Sequence, residues 1–145
     1  MEKHLNVLII DDSEDDTLLL LRELRRSGYE PDHKLVDTPE AMREALATRE
    51  WDIVLSDFAM PGFSGLAALV MLKESGLDIP FIIVSGKIGE ETAVQLMKAG
   101  AHDYILKGNL VRLAPVIERE LQEAGERRKR KKAEEDLREV EKRFR

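Results

Sequence analysis

Asp57 stands just past an apolar run, Ile53-Val54-Leu55, and a Pro61-Gly62 turn and Gly65 follow before a helical pattern opens at Leu66. The run reads as a buried parallel strand that delivers one carboxylate to its C-terminal edge. In open α/β sheets chemistry sits just outside the carboxyl ends of the strands, so this carboxylate is a candidate nucleophile or metal ligand. The plainer alternative is an aspartate opening a turn. Three further strand ends carry polar groups: Asp11 and Asp12 after residues 6–10, Ser85 after residues 80–84, and Lys107 after residues 103–106. Taken singly, the two aspartates fit helix caps, Ser85 an ordinary strand-end hydroxyl and Lys107 a solvated loop charge. Their joint placement at successive strand ends points instead to one site.

Three carboxylates in one crevice raise one another's pKa and strain the fold unless a cation neutralises them. A hard divalent ion with oxygen ligands is the natural solution, and Mg2+ suits a site with few protein ligands, several waters and a phosphate. Lys107 would add positive charge from the other side and Ser85 a hydroxyl donor. An aspartate so flanked can accept a phosphoryl group, because the cations offset charge on the transferring oxygens while the carboxylate attacks in line.

For these groups to meet, strands and helices must alternate. Residues 6–10 are a β-branched and leucine run. Leu18, Leu21 and Leu24 then recur at helical spacing, and Gly28 closes that helix. Four consecutive leucines, 18–21, exceed one buried stripe, so one or two lie at its edge. Residues 33–36 make a weak second strand. Thr38 caps a helix with Pro39 in its first turn. Ser64 caps a third helix, with Leu66, Leu69 and Leu72 inward and Gly76 as its stop. Pro80 opens the fourth strand, where its missing N–H is tolerated. Residues 90–99 form a helix with Val94 and Met97 inward, and from Leu110 the pattern is helical again. This order predicts an α/β fold: a doubly wound, five-stranded parallel sheet of order 2-1-3-4-5 with helices on both faces and an extended C-terminal helix.

A chain of 145 residues suffices for one domain with a sizeable core and an appendage. There is no cysteine, which suits a reducing compartment. No apolar run approaches the roughly 20 residues of a membrane span, and nothing near Lys3 and His4 resembles a signal peptide. A cytoplasmic location without membrane contact is expected. Net charge is -6 and uneven: residues 1–110 hold 11 basic and 20 acidic side chains, residues 111–145 hold 12 and 9. The acidic body argues against nucleic acid as a partner.

Residues 5 to about 123 resemble the receiver domain of two-component response regulators. The resemblance rests on Asp11-Asp12, on Asp57-Phe58-Ala59-Met60-Pro61 with Gly65, on Ser85-Gly86, on Ala99-Gly100-Ala101 before Asp103-Tyr104, and on Lys107. It implies that Asp57 is phosphorylated from the phosphohistidine of a histidine kinase or phosphotransfer protein. It implies Mg2+ held by Asp12, Asp57 and the backbone carbonyl of Ala59, with Asp11 helping through water. It gives Lys107 a phosphate contact, Ser85 the switching hydroxyl and Tyr104 an aromatic switch on the output face formed by the fourth helix, fifth strand and fifth helix. Acceptance and slow self-loss of the phosphoryl group would make the chain an acceptor rather than a turnover enzyme. The chain departs from the family pattern at Gly108, where proline commonly follows the lysine, and at Ser85, where threonine is commoner. Ala59 is small and apolar, and is expected to leave the phosphoryl group open to water.

The reading divides the chain into a receiver over residues 1–123 and a helical linker over 124–145. In the linker a basic hexamer, residues 127–132, precedes Ala133, Leu137, Val140 and Phe144, whose spacings of 4, 3 and 4 make one helical face. Acidic residues follow the hexamer directly, so a solvated helix face is favoured over a lipid or nucleic-acid patch. Gly125 weakens the helix by about 1 kcal/mol relative to alanine. Residues 137–145 resemble the lead-in to a PAS-type sensor domain, which implies the receiver of a larger sensor or hybrid histidine kinase and a possible homodimer through the helix. Two other function classes compete: a phosphorylation-independent interaction or dimerisation module with the same fold, and an aspartyl phosphatase. The intact acidic cluster and Lys107 oppose the first. The missing aspartate-x-aspartate motif of haloacid-dehalogenase-type enzymes opposes the second.

Overall fold

Strands and helices alternate along the chain as β1 (Lys3–Ile10), α1 (Glu14–Arg26), β2 (Tyr29–Val36), α2 (Pro39–Thr48), β3 (Ile53–Ser56), α3 (Gly65–Ser75), β4 (Phe81–Ser85), α4 (Glu90–Ala99) and β5 (Asp103–Leu106). A 3-10 segment (Lys107–Arg112) then leads into α5 (Leu113–Arg143). This computed structural model describes residues 3–144; Met1, Glu2 and Arg145, the outermost residues of the two expected units, lie outside it. The strands form one parallel sheet in the order β2-β1-β3-β4-β5, as expected.

The inner strands β1, β3 and β4 are apolar on both faces because helices cover both. One face packs Leu8, Ile10, Val54, Phe81 and Ile83 against α2, α3 and Leu96 of α4. The other packs Val7, Ile9, Leu55, Ile82 and Val84 against α1 and α5. Hydroxyls start three helices: Thr38 and Ser64 as anticipated, and Ser13 rather than Asp11 or Asp12 at the first. Ser13 Oγ accepts the Asp16 N–H, Thr38 Oγ1 the Ala41 N–H and Ser64 Oγ the Ala67 N–H.

Several expectations are corrected. β1 begins at Lys3 and β2 at Tyr29, each earlier than the apolar pattern showed. β2 pairs only with β1, so its outer edge accommodates Glu30, Pro31, Asp32, His33 and Lys34. Among the leucines of α1, Leu18 and Leu19 are exposed while Leu20, Leu21 and Leu24 are buried, which moves Leu18 out of the inward set. In α3, Ala68, Leu69 and Leu72 face the core and Leu66 does not. In α4 the buried pair is Ala93 and Leu96; Val94 and Met97 are on the open face. Both pairs have the same i, i+3 spacing, so the apolar pattern alone does not say which one faces the core.

α5 runs 31 residues without a break at Gly125. Its first turns bury Leu113, Val116, Ile117, Glu120 and Ala124. Arg127 then makes a two-point ion pair with Asp78 in the loop after α3, Nε at 2.9 Å and a second guanidinium nitrogen at 3.1 Å. Packing against the body therefore extends to residue 127. Residues 128–144, including Leu137, Val140 and Phe144, are exposed. Among the described residues no helix is long and apolar enough to cross a membrane.

Candidate functional site

The sheet register brings Asp11 and Asp57 side by side. β1 pairs Ile10 with Val36 on one side and with Ser56 on the other, so the residues that follow emerge level at the carboxyl edge. Backbone bonds carry the ladder one residue further: Asp57 N–H donates to Ile10 O at 2.7 Å and Asp11 N–H to Val36 O at 3.0 Å. Oxygens of Asp11, Asp12 and Asp57 lie within 4.8 Å of one another. Asp11 and Asp57 are buried and Asp12 stands at the open rim.

Local bonds fix the two buried carboxylates. Asp11 Oδ1 accepts the Ser13 N–H at 3.0 Å, and Asp57 Oδ1 accepts the Phe58 N–H at 2.8 Å. Gly65 lets α3 start against this loop. Its N–H donates to Phe58 O at 2.8 Å, and a Cβ there would stand 2.5 Å from the Asp57 carbonyl oxygen.

Lys107 closes the site from the β5 side. Its Nζ lies 3.2 Å from Asp11 Oδ2, 3.5 Å from Asp57 Oδ2 and 2.7 Å from Asp16 Oδ2. Burial alone would lower the pKa of Lys107, but its bonds to Asp16 and Asp11 outweigh that and hold the ammonium charged. Burial pushes the Asp11 carboxyl above its usual range, partly opposed by the Ser13 N–H and by Lys107. A half-buried acidic cluster with one ammonium is a poor resting place for three negative charges. Its hard oxygen donors and open rim suit a divalent cation that keeps some of its water.

The remaining expected residues fall at two places. Ser85 is buried at the end of β4; since Ile83 pairs with Ser56, it lies one step past the level of Asp57. Ala59 is exposed in the loop beyond Asp57. Tyr104 belongs to a different surface, where with Ala93, Val94 and Met97 it lines a shallow depression beside α4. Sequence reasoning missed Asp16, one of three acids in the first turn of α1. The available signal was an acid three residues after the Ser13 cap, one helical turn from the Asp11-Asp12 pair. Its partner is 91 residues away.

Known proteins resemble this chain in sequence and in fold. Residues 7–118 match the family described as the response regulator receiver domain. Over 101 residues the chain is 35% identical to the transcriptional regulatory protein PrrA of Mycobacterium leprae, a match covering 70% of this chain and 42% of that protein. It thus spans less than half the length of this curated relative. Full-length FixJ from B. japonicum superposes with a TM-score of 0.74 at 30% identity, covering 86% of this chain and 60% of that one. The signal receiver domain of a signal transduction histidine kinase from Syntrophus aciditrophicus superposes with a TM-score of 0.67 at 28% identity, covering 81% and 90%. The chain belongs to the response regulator receiver domain family.

Proposed function

We propose that Asp57 accepts a phosphoryl group from the phosphohistidine of a histidine kinase or phosphotransfer protein in the cytoplasm, and that the chain relays this event as a receiver module. The observation that carries the reading is the position of the Asp57 carboxylate, within 4.8 Å of the Asp11 and Asp12 oxygens and 3.5 Å from the Lys107 ammonium. An Asp57 oxygen attacks phosphorus, the phosphorus–nitrogen bond breaks, and the imidazole leaves with its electron pair and takes up a proton. Asp11, Asp12, Asp57 and the Ala59 carbonyl would hold Mg2+, which when bound neutralises charge on the transferring oxygens. Lys107 contacts the phosphoryl oxygens and Ser85 donates its hydroxyl to one of them. Tyr104 responds on the α4-β5-α5 face, and α5 carries the change into the helical linker of residues 124–145. Exposed Leu137, Val140 and Phe144 would pair with a second copy; so few turns make a marginal coiled coil alone.

The test is incubation with beryllofluoride or acetyl phosphate and Mg2+, comparing the parent with Asp57→Asn. The expected result is Mg2+-dependent binding and labelling that the variant lacks. Equal labelling of both forms, or none of either, rejects the acceptor assignment.

A further inference from the structure

The three carboxylates around Lys107 are not equivalent. The shortest contact, 2.7 Å, goes to Asp16, which is not one of the three clustered aspartates. Asp11 and Asp57, at 3.2 Å and 3.5 Å, belong to that cluster. Of the three N–H donors of the ammonium, one goes to Asp16 in a 2.7 Å hydrogen bond, and two remain for the longer ion-pair contacts to Asp11 and Asp57. A cation bound by Asp11 and Asp57 would compete with Lys107 for those two groups alone and leave the Asp16 contact in place.

Asp16 is well built to stay. It is the third residue of α1, and its N–H donates to the Ser13 hydroxyl at 3.1 Å, so the helix cap fixes its backbone independently of the acceptor loop. Lys107 opens the 3-10 segment that follows β5. Gly108 follows with open space about it, and Asn109 departs from helical geometry at φ -137°, ψ 53°. Beyond Cα, the long lysine side chain is placed by its contacts to Asp16, Asp11 and Asp57.

We propose that Asp16 is a positioning residue: it tethers Lys107 from outside the cluster, so that the donors released by Asp11 and Asp57 already face the phosphoryl oxygens on Asp57. The inference rests on the acceptor reading given above. It predicts a sign opposite to simple electrostatics. Removing a negative charge near an anion site should tighten anion binding, whereas removing a tether should weaken it by leaving Lys107 unplaced.

The experiment titrates beryllofluoride at saturating Mg2+ into the parent, Asp16→Asn and Asp15→Asn, read by 19F NMR, with far-UV circular dichroism confirming each fold. Asp15 shares the first turn of α1 and its charge, and makes no ion pair with Lys107. Asp16→Asn should weaken binding about fivefold, the scale of one partly exposed charged hydrogen bond. Asp15→Asn should bind like the parent or slightly tighter. A metal-free double-mutant cycle of Asp16→Asn with Lys107→Met, read by urea unfolding, should show coupling of about threefold in the folding constant. Asp16→Asn binding as tightly as the parent, or tighter, overturns the tether; so does a cycle without coupling. A parent that fails to bind beryllofluoride overturns the acceptor reading and the tether together, while a binding parent with an unaffected Asp16→Asn overturns the tether alone.

Discussion

Gly65→Ala tests how tightly the start of α3 is built against the acceptor loop. The new methyl carbon would stand 2.5 Å from the Asp57 carbonyl oxygen, 3.0 Å from Phe58 Cα and 3.3 Å from Ile83 Cδ1. Ordinary contact begins near 3.4 Å, so backbone must give by about 0.9 Å on one side. Two of the three obstacles are main chain and cannot rotate away. The α3 side is held by the Ser64 cap and by the Gly65 N–H bond to Phe58 O. The displacement therefore passes into Asp57 and Phe58. Overpacking of this kind costs about 1–3 kcal/mol. A reacting group moved by roughly 1 Å loses on the order of 100-fold in rate. The assay is urea unfolding for stability, and acetyl phosphate labelling with Mg2+ at a temperature where the variant is folded. Gly62→Ala is the control in the same loop: its φ of +74° makes alanine strained, but no atom lies within 4 Å. It should lose about 1 kcal/mol and label near the parent rate. A Gly65→Ala chain that labels as fast as Gly62→Ala would refute the argument that this close approach positions the acceptor.

Other perturbations have defined outcomes. Replacing Ala59 by Asn or Glu at the open rim should lengthen the lifetime of phosphorylated chain by obstructing water, measured by loss of label after donor removal; equal lifetimes reject the idea. His102 Nδ1 accepts the Phe81 N–H at 3.0 Å and must be neutral to do so; burial, with Lys73 and Arg127 nearby, lowers its pKa. Because the unfolded chain then binds more protons below about pH 6.5, stability should fall as pH drops through that value, and His102→Asn, which keeps an acceptor, should flatten the dependence of the urea midpoint. Arg127→Ala breaks a pair whose side chains are 34% and 50% exposed, so global stability should drop by less than about 1 kcal/mol, while amide exchange around residues 123–132 speeds up. Unchanged exchange there would show that the pair does not anchor the helix.

Much of this architecture can be read from local chemistry. The caps at Ser13, Thr38 and Ser64 and the apolar runs at 53–56 and 81–84 are set by neighbours in the chain, and these locate the strand ends. The convergence of Asp11, Asp57 and Lys107 follows once the sheet order is known, because parallel strands put all their carboxyl ends on one edge. What stays hidden depends on partners distant in sequence. β2 looks too polar for a strand because only one edge of it is paired. In α4, the 93/96 and 94/97 pairs have the same spacing, and only the way the helix docks in the fold decides that Ala93 and Leu96 are the buried pair. The Asp16–Lys107 contact joins the two ends of the fold and has no local signature beyond an acid that also suits a helix start.

The ion pair at Arg127 has a mechanical meaning. Among the described residues it is the last ion pair between α5 and the body, and the helix continues for about 24 Å to Arg143, at 1.5 Å per residue. Such a rod is an amplifier: pivoting by about 5° at the final clamp swings its tip by roughly 2 Å, the size of the helix shifts that carry signals across interfaces. On this geometry a displacement too small to disturb the packing of α5 on the sheet would still move the far end of the helix by a distance comparable to a side-chain contact.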